Sequence, residues 1–364
     1  MRVGHYQTPF FKGISKPLSF DKGFFRLQYL KFSLKVNLLM AWQASMSWQH
    51  AKQRAQVLAT IRGFFSKRDV IEVETPLLSN GTITDVHLDP FITQFNYSVD
   101  SNIEQSIPLY AQTSPEFAMK RLLASGYGCC YQICKAFRHE QHGRYHNPEF
   151  TMLEWYRLGF DHFQLMDELA ELLVEVLQCN KVDKITYQNL FIREVGIDPL
   201  STTKSELLGL IAQRDMLSDW LVKEDSIDTL LQFIMSELIE REIGIEAPCF
   251  VYNFPASQAS LANISSEDER VAERFECYFK GIELANGFNE LTDEKLQRAR
   301  FEEDNRKRIE LDKEERMIDK NFLSALDSGL PKCSGVAMGI DRLLMLALSA
   351  NTIDQVITFP IENA

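Results

Sequence analysis

AFRHEQHGRYHNPEFTMLEWY, residues 136–156, is the stretch whose reading decides the fold. It reads as the end of one strand, a polar loop and a second strand. The first strand, 130–140, sets Arg138 and Glu140 two residues apart, hence on one face. The loop carries His142, Arg144 and His146, and the second strand spans 150–157, opening on Phe150. A later stretch, SGVAMGIDRL at 334–343, is a glycine-punctuated strand running into a helix that opens on Asp341 and Arg342. Each stretch brings an arginine to a place where a nucleotide phosphate can sit.

Working outward, Val57, Ile61, Phe64 and Phe65 recur at helical spacing and form one apolar stripe, so a helix runs from about residue 49. It leads into RDVIEVETPLL, 68–78, where Ile71, Val73 and Thr75 alternate with Glu72 and Glu74 before Pro76, the pattern of an edge strand ended by proline. A strand is expected over 109–116, a helix over 117–125, and strands again over 249–253 and 274–287. Residues 160–245 carry leucines and isoleucines at helical spacing and read as a helical insertion beside a sheet.

RFECYFKGIELANGFNE, 274–290, is a hairpin if Lys280 and Gly281 form its two-residue turn. Phe279 then faces Ile282 and Tyr278 faces Glu283. Glu276 and Glu283 become diagonal neighbours on a polar face with Arg274, while Phe275, Cys277, Phe279, Ile282 and Leu284 cover the other face. Two carboxylates converging on one face repel unless a cation offsets them. Mg²⁺, which favours a few carboxylates plus phosphate oxygens, is the expected ion at Glu276 and Glu283. The plainer alternative is a solvated face whose acids pair with nearby Arg or Lys.

Composition sets the bounds. The 364 residues are 45% hydrophobic and 25% charged, enough for a full core. No apolar run approaches the roughly twenty residues of a membrane span, and 24–42 is broken by Arg26, Lys31 and Lys35. Seven cysteines, odd in number and without paired CxxC motifs, indicate neither zinc nor a disulfide framework and fit a reducing cytoplasm. Seven of the 39 basic residues but one of the 51 acidic ones fall in 1–39, so the rest is more acidic than the net charge of -12 implies. Such a body is a poor default partner for nucleic acid. Residues 1–45 lack periodicity and are expected to be a leader, disordered or outside the native chain, ahead of a catalytic domain at 46–364 with its helical insertion at about 160–245.

In order and spacing these stretches resemble motifs 1, 2 and 3 of the class II aminoacyl-tRNA synthetases, in their lysine-type subclass, over residues 49–364. The resemblance implies an α+β fold: a class II synthetase core, an antiparallel β-sheet flanked by helices with a helical insertion, dimeric, using ATP and Mg²⁺. It implies ATP contacts from Arg138, His139, Glu140, His146, Asn147, Phe150, Glu283, Leu284 and Arg342, with Arg138 and Arg342 catalytic and Glu276 and Glu283 on the metal. Arg138 would fork onto the α-phosphate and the substrate carboxylate, where charge builds as that carboxylate attacks phosphorus. Glu140 would accept from the adenine amino group, Phe150 would stack on the base, and Arg342 would cover its other side and touch the γ-phosphate. His146 and Asn147 would reach the outer phosphates.

The amino-acid pocket implied by the resemblance is Ser114, Pro115, Glu116, Tyr156, Glu290 and Ala337, with Glu154 and Asn286 beside it. Acids and a phenol around one cavity suit a substrate with two ammonium groups, a lysine-like molecule. Two departures from the tRNA enzymes matter. Only about 46 unpatterned residues precede the first helix, too few for the OB-fold that grips an anticodon. Ser114 and Ala337 stand where the tRNA enzymes carry alanine and glycine. With GTITDVHLDPF from Gly81, these changes resemble the truncated branch of the family: homodimeric protein ligases that activate (R)-β-lysine and pass it to a lysine of elongation factor P, with no tRNA and no membrane. The alternatives are a lysyl-tRNA synthetase-like ligase of another amino acid, or a non-catalytic paralogue acting as a regulator. Retention of Arg138, Glu283 and Arg342 argues against the latter.

Overall fold

The computed structural model describes residues 42–96 and 106–364. Of the expected leader only residues 42–45 lie among them, and there the Ser45 amide donates to Thr358 O at 2.9 Å.

Helix α1, Trp48–Ser66, starts on a Ser47 cap whose hydroxyl accepts from the His50 amide, and it buries Ile61, Phe64 and Phe65. Strands β1 (Ile71–Glu72) and β2 (Leu78–Ser79) follow, then β3 (Ile92–Asn96), β4 (Ser106–Ala111) and α2 (Glu116–Ala124). Next come β5 (Cys130–Phe137), β6 (Glu149–Leu158), α3 (His162–Leu177), β7 (Asp183–Thr186) and the helices α4 (Tyr187–Val195), α5 (Lys204–Gln213), α6 (Asp219–Lys223) and α7 (Ile227–Ile234). A π-helical turn over Met235–Ile239 extends α7. The chain closes with β8 (Cys249–Pro255), β9 (Val271–Phe279), β10 (Ile282–Asn289), α8 (Glu294–Glu310), α9 (Lys320–Asp327), β11 (Cys333–Gly339) and α10 (Ile340–Ala347).

Eight strands form one sheet in the order β1-β5-β6-β11-β10-β9-β8-β7, antiparallel except for the outer pairs β1/β5 and β7/β8. The expected α+β fold, an antiparallel-dominated sheet flanked by helices, is what the chain adopts. One face packs Leu153, Trp155, Cys277, Val336 and Met338 against α1, α3 and α10. The other face is partly covered by α2 and α9, through Met119, Leu123, Phe322 and Leu326. Helices α4 to α7 build a third core around Tyr187, Phe191 and Ile234 that leans on Val251 and Tyr278.

Several expected bounds shift. The edge strand exists but only Ile71 and Glu72 lie in it, with one further backbone bond from the Val73 amide to Tyr131 O at 2.8 Å, and the Glu72 side chain pairs with Arg62 and Tyr131. The strand expected over 109–116 ends at Ala111, and Glu116 opens a helix instead. The strand expected over 130–140 ends at Phe137, so Arg138 and Glu140 do not share a strand face. The Glu140 amide donates to Arg138 O at 2.8 Å, a tight turn that brings the two together by another route. β7 was not foreseen at all.

The 279–282 hairpin forms as read, with Phe279 opposite Ile282 and Tyr278 opposite Glu283. Lys280 and Gly281 both have positive φ, 50° and 70°, as a type I′ turn requires. The register then shifts between Glu283 and Ala285, a β-bulge. Leu284 and Ala285 both enter the core, which lets Glu283 and Asn286, three residues apart, face the same side.

Candidate active site

Cross-strand register builds the site's floor. Gln132, Glu154, Ala337, Asn286 and Glu276 lie opposite one another across β5, β6, β11, β10 and β9. Two residues along, Cys130, Tyr156, Gly335, Phe288 and Arg274 form a second row. Directly paired residues share a face, so the small residues Gly335, Ala337 and Gly339 make a trough between walls of larger side chains. A β-carbon on Gly335 would meet the Tyr156 ring at 2.3 Å and Glu290 Oε1 at 2.5 Å, so the trough is closed to anything larger than glycine there.

One cavity is lined by Arg138, Glu140, His146, Asn147, Phe150, Glu283, Leu284, Ala337 and Arg342. Arg138 is 2% exposed, with its guanidinium 5.1 Å from the Phe150 ring, and its Nε and Nη2 have no hydrogen-bond partner among the described residues. A buried cation with unmet donors is costly unless an anion completes it. Arg342 donates from Nη1 to Glu283 O at 3.0 Å, and its Nη2 lies 2.7 Å from His146 Nε2. Asp341 holds the helix start in place: it accepts from the Thr151 amide and from Arg54 Nη1, both at 2.6 Å. Arg54 escaped the sequence reading because its partners are almost a hundred or more residues away.

Other expected contacts fall differently. His139 is exposed, outside this cavity, its ring edge-on to Phe91. Asn147 reaches the cavity wall, but its amide donates to Glu149 O at 2.6 Å and accepts from the Ile361 amide at 2.9 Å, pinning the C-terminal segment. Leu284 borders the cavity while its side chain packs in the core.

The acids form two groups. Glu283 is buried beside Glu276, and that burial, with Glu276's charge, holds its carboxyl well above the ordinary carboxylate range. Glu276 accepts from Arg274 and from the Tyr278 hydroxyl. No cluster of three or more His, Cys, Asp or Glu able to hold a metal occurs among the described residues. Two carboxylates whose repulsion a divalent cation would relieve nevertheless fit Mg²⁺ carried largely on phosphate oxygens.

The second group lies beside an adjoining cavity that Arg138 also lines, with Ser114, Pro115 and, of these acids, Glu116 alone. Glu154 accepts from Ser114 Oγ at 2.6 Å and from the Tyr156 hydroxyl at 2.7 Å. Lys120, wholly buried, bridges Glu116 at 2.7 Å and Glu290 at 2.5 Å. Burial and the charge of Glu116 push the Glu154 carboxyl up to about 7. Burial raises Glu290 likewise, against the pull of Lys120. Lys120 was missed in the sequence, although its place four residues after Glu116 on a helix was a usable signal.

The family described as tRNA synthetases class II (D, K and N) matches residues 30–363. Curated relatives include proteins named elongation factor P--(R)-beta-lysine ligase. That of Proteus mirabilis is 54% identical over 323 residues, 89% of this chain and 98% of the relative. That of Sodalis glossinidius is 52% identical over 324 residues, with the same coverage. That of Vibrio parahaemolyticus is 54% identical over 319 residues, 88% of this chain and 98% of the relative.

Proposed function

This chain belongs to the tRNA synthetases of class II (D, K and N), and from that premise we propose that it is an ATP-dependent ligase that adenylates (R)-β-lysine and transfers it to a lysine side chain of elongation factor P. The observation that carries this reading is Arg138, a buried guanidinium with unmet donors that lines both the nucleotide cavity and the adjoining cavity at Ser114 and Glu116. Such a group can hold the α-phosphate and the substrate carboxylate together and offset charge as one attacks the other, while pyrophosphate leaves. Phe150 stacks on the adenine and Arg342 covers its far side. Glu276 and Glu283 would hold Mg²⁺, which when bound would neutralise triphosphate charge.

Glu116, Glu154, Glu290 and Tyr156 receive the two ammonium groups of the amino acid. Since one buried cation, Lys120, already occupies part of that acid set, the remaining acceptors are few and fix where the ammonium groups sit. Ala337, 5% exposed and directly opposite Glu154 on one side and Asn286 on the other, sets the room at the substrate's backbone. We read the protein as a homodimer acting without tRNA. Trp48 and Ile71, 76% and 60% exposed along α1 and the β1 edge, leave apolar surface for a second copy.

The test is ATP–pyrophosphate exchange with (R)-β-lysine, (S)-β-lysine and L-α-lysine, followed by mass spectrometry of elongation factor P incubated with enzyme, ATP and the preferred isomer. The expected result is fastest exchange with (R)-β-lysine and one lysyl addition on a single lysine. Exchange only with another amino acid, or transfer to tRNA and not to protein, overturns the reading.

A further inference from the structure

The nucleotide and the amino acid leave one large space unused. A cavity of about 350 Å³ opens between the loop at Ile83 and Asp85, the turn at 256–261 and helix α8. Two buried polar side chains line it with unmet atoms. Gln297, 1% exposed, has no partner for Oε1 among the described residues, and Arg274, 3% exposed, has none for Nε. Orphaned polar atoms at a cavity wall mark a place for a ligand to complete them.

The lining says what that ligand is. Asp304 accepts from Thr84 Oγ1 at 2.9 Å and stands near Asp85, and burial together with Asp85's charge pushes its carboxyl up to about 6. A cation would relieve both the burial and the repulsion. The cations already present hydrogen-bond or pair with other groups: Arg274 with Glu276, Arg300 with the carbonyls of Ser260 and Ala262 at 2.7 Å each, and Lys307 with Glu303 at the exposed rim, although the charges of Arg300 and Lys307 are also felt at Asp304. Leu261, Phe301 and Ile83 give the walls an apolar stretch suited to an alkyl stem. Ile83 also lines the amino-acid cavity, and the charge of Asp85 acts on Arg138, so the space lies beside the point where an adenylate would form.

We propose that this cavity is the entry site for the acceptor's lysine side chain, with Asp304, Asp85 and Gln297 Oε1 receiving its ammonium and aiming the nitrogen at the activated carbonyl; the ammonium gives a proton to solvent water, the free amine forms the amide C–N bond, and the acyl–phosphate C–O bond breaks as AMP leaves. The proposal rests on the function argued above and adds the site where the second substrate enters. Asp304 and Gln297 act in it as binding and positioning residues for the acceptor alone.

Asp304→Asn and Gln297→Leu test it in the full chain, with elongation factor P as acceptor. For each variant, pyrophosphate exchange, kcat and KM for lysyl transfer, and the melting curve are compared with wild type. The expected result is exchange within twofold of wild type, an unchanged melting curve, and a ten- to hundred-fold loss in kcat/KM for the acceptor, mostly in KM. Transfer within twofold of wild type in a folded variant overturns the site, and so does an equal loss of exchange and transfer. Should Asp304→Asn not fold, Gln297→Leu, which replaces one buried side chain by another of similar volume, decides alone. A wild-type protein that exchanges with no lysine isomer sinks the functional reading itself, which separates the two failures.

Discussion

At the scale of single residues, the chemistry rests on a few buried charges, and most of these were legible as residue types. Arg138 and Arg342 were named from their motifs and Glu283 from the 274–290 hairpin, and all three line one cavity. Removing either arginine should abolish adenylation while leaving the fold intact, since one contact to developing charge contributes about 2.7–4 kcal/mol, or 10²–10³ in rate. Pyrophosphate exchange and melting curves of Arg138→Ala and Arg342→Ala check this; near wild-type exchange in either would remove that arginine from the site. Ala337 tests substrate choice. One methyl in a pocket discriminates by about 1–3 kcal/mol, so Ala337→Gly should move preference toward L-α-lysine by roughly ten- to a hundred-fold. The ratio of kcat/KM for (R)-β-lysine and L-α-lysine is the readout, and equal changes for both would clear Ala337 of the role. What single residues did not disclose was pairing. Lys120 between Glu116 and Glu290, and Arg54 on Asp341, join parts of the chain that only folding brings together.

At the scale of elements, alternation along β11 was visible in GVAMG, but its meaning was not. In the sequence Gly335 and Gly339 only punctuate a strand that runs into a helix; their place between β6 and β10 gives the reason for them. Gly335 does not need glycine for its backbone angles; it needs glycine for space. Gly335→Ala should raise KM for the amino acid at least tenfold, because the added carbon displaces Tyr156 and Glu290, while ATP binding measured by calorimetry stays within about twofold. Equal weakening of both substrates would show that the trough had collapsed rather than narrowed. The 279–282 turn was readable because Gly281 tolerates positive φ between two alternating runs that a two-residue loop can join. The bulge beyond it was not: a shift of one residue reverses every side chain that follows, and no local residue in 283–285 announces it.

At the scale of the whole molecule, acids drawn from α2, β6 and the segment after β10 meet in one buried space, and their protonation couples folding to pH and to substrate. Glu154 in the folded protein is pushed from 4.5 to about 7. A raised acid binds its proton more tightly when folded, so its contribution to stability is fully present below about pH 4.5 and is lost as pH rises through about 7. Thermal stability without ligand should therefore fall between pH 5 and 8, with Glu154→Gln flattening the fall. A substrate ammonium beside Glu154 favours the ionised form, so binding of (R)-β-lysine at pH 7 should release protons. Calorimetry in buffers of different ionisation enthalpy measures this, and zero release at pH 7 would count against Glu154 as the receiving acid. The sequence by itself determined the elements that local pattern controls: the helical stripe of α1, the β9–β10 hairpin turn, the order of the three motifs and hence the fold class. Those follow from side-chain periodicity and turn chemistry, which act over a few residues. Tertiary structure alone decided where β5 stops, how the bulge turns Glu283 and Asn286 to one side, and which acid meets which cation. Burial and pairing depend on neighbours far away in the chain, and no short-range pattern encodes them.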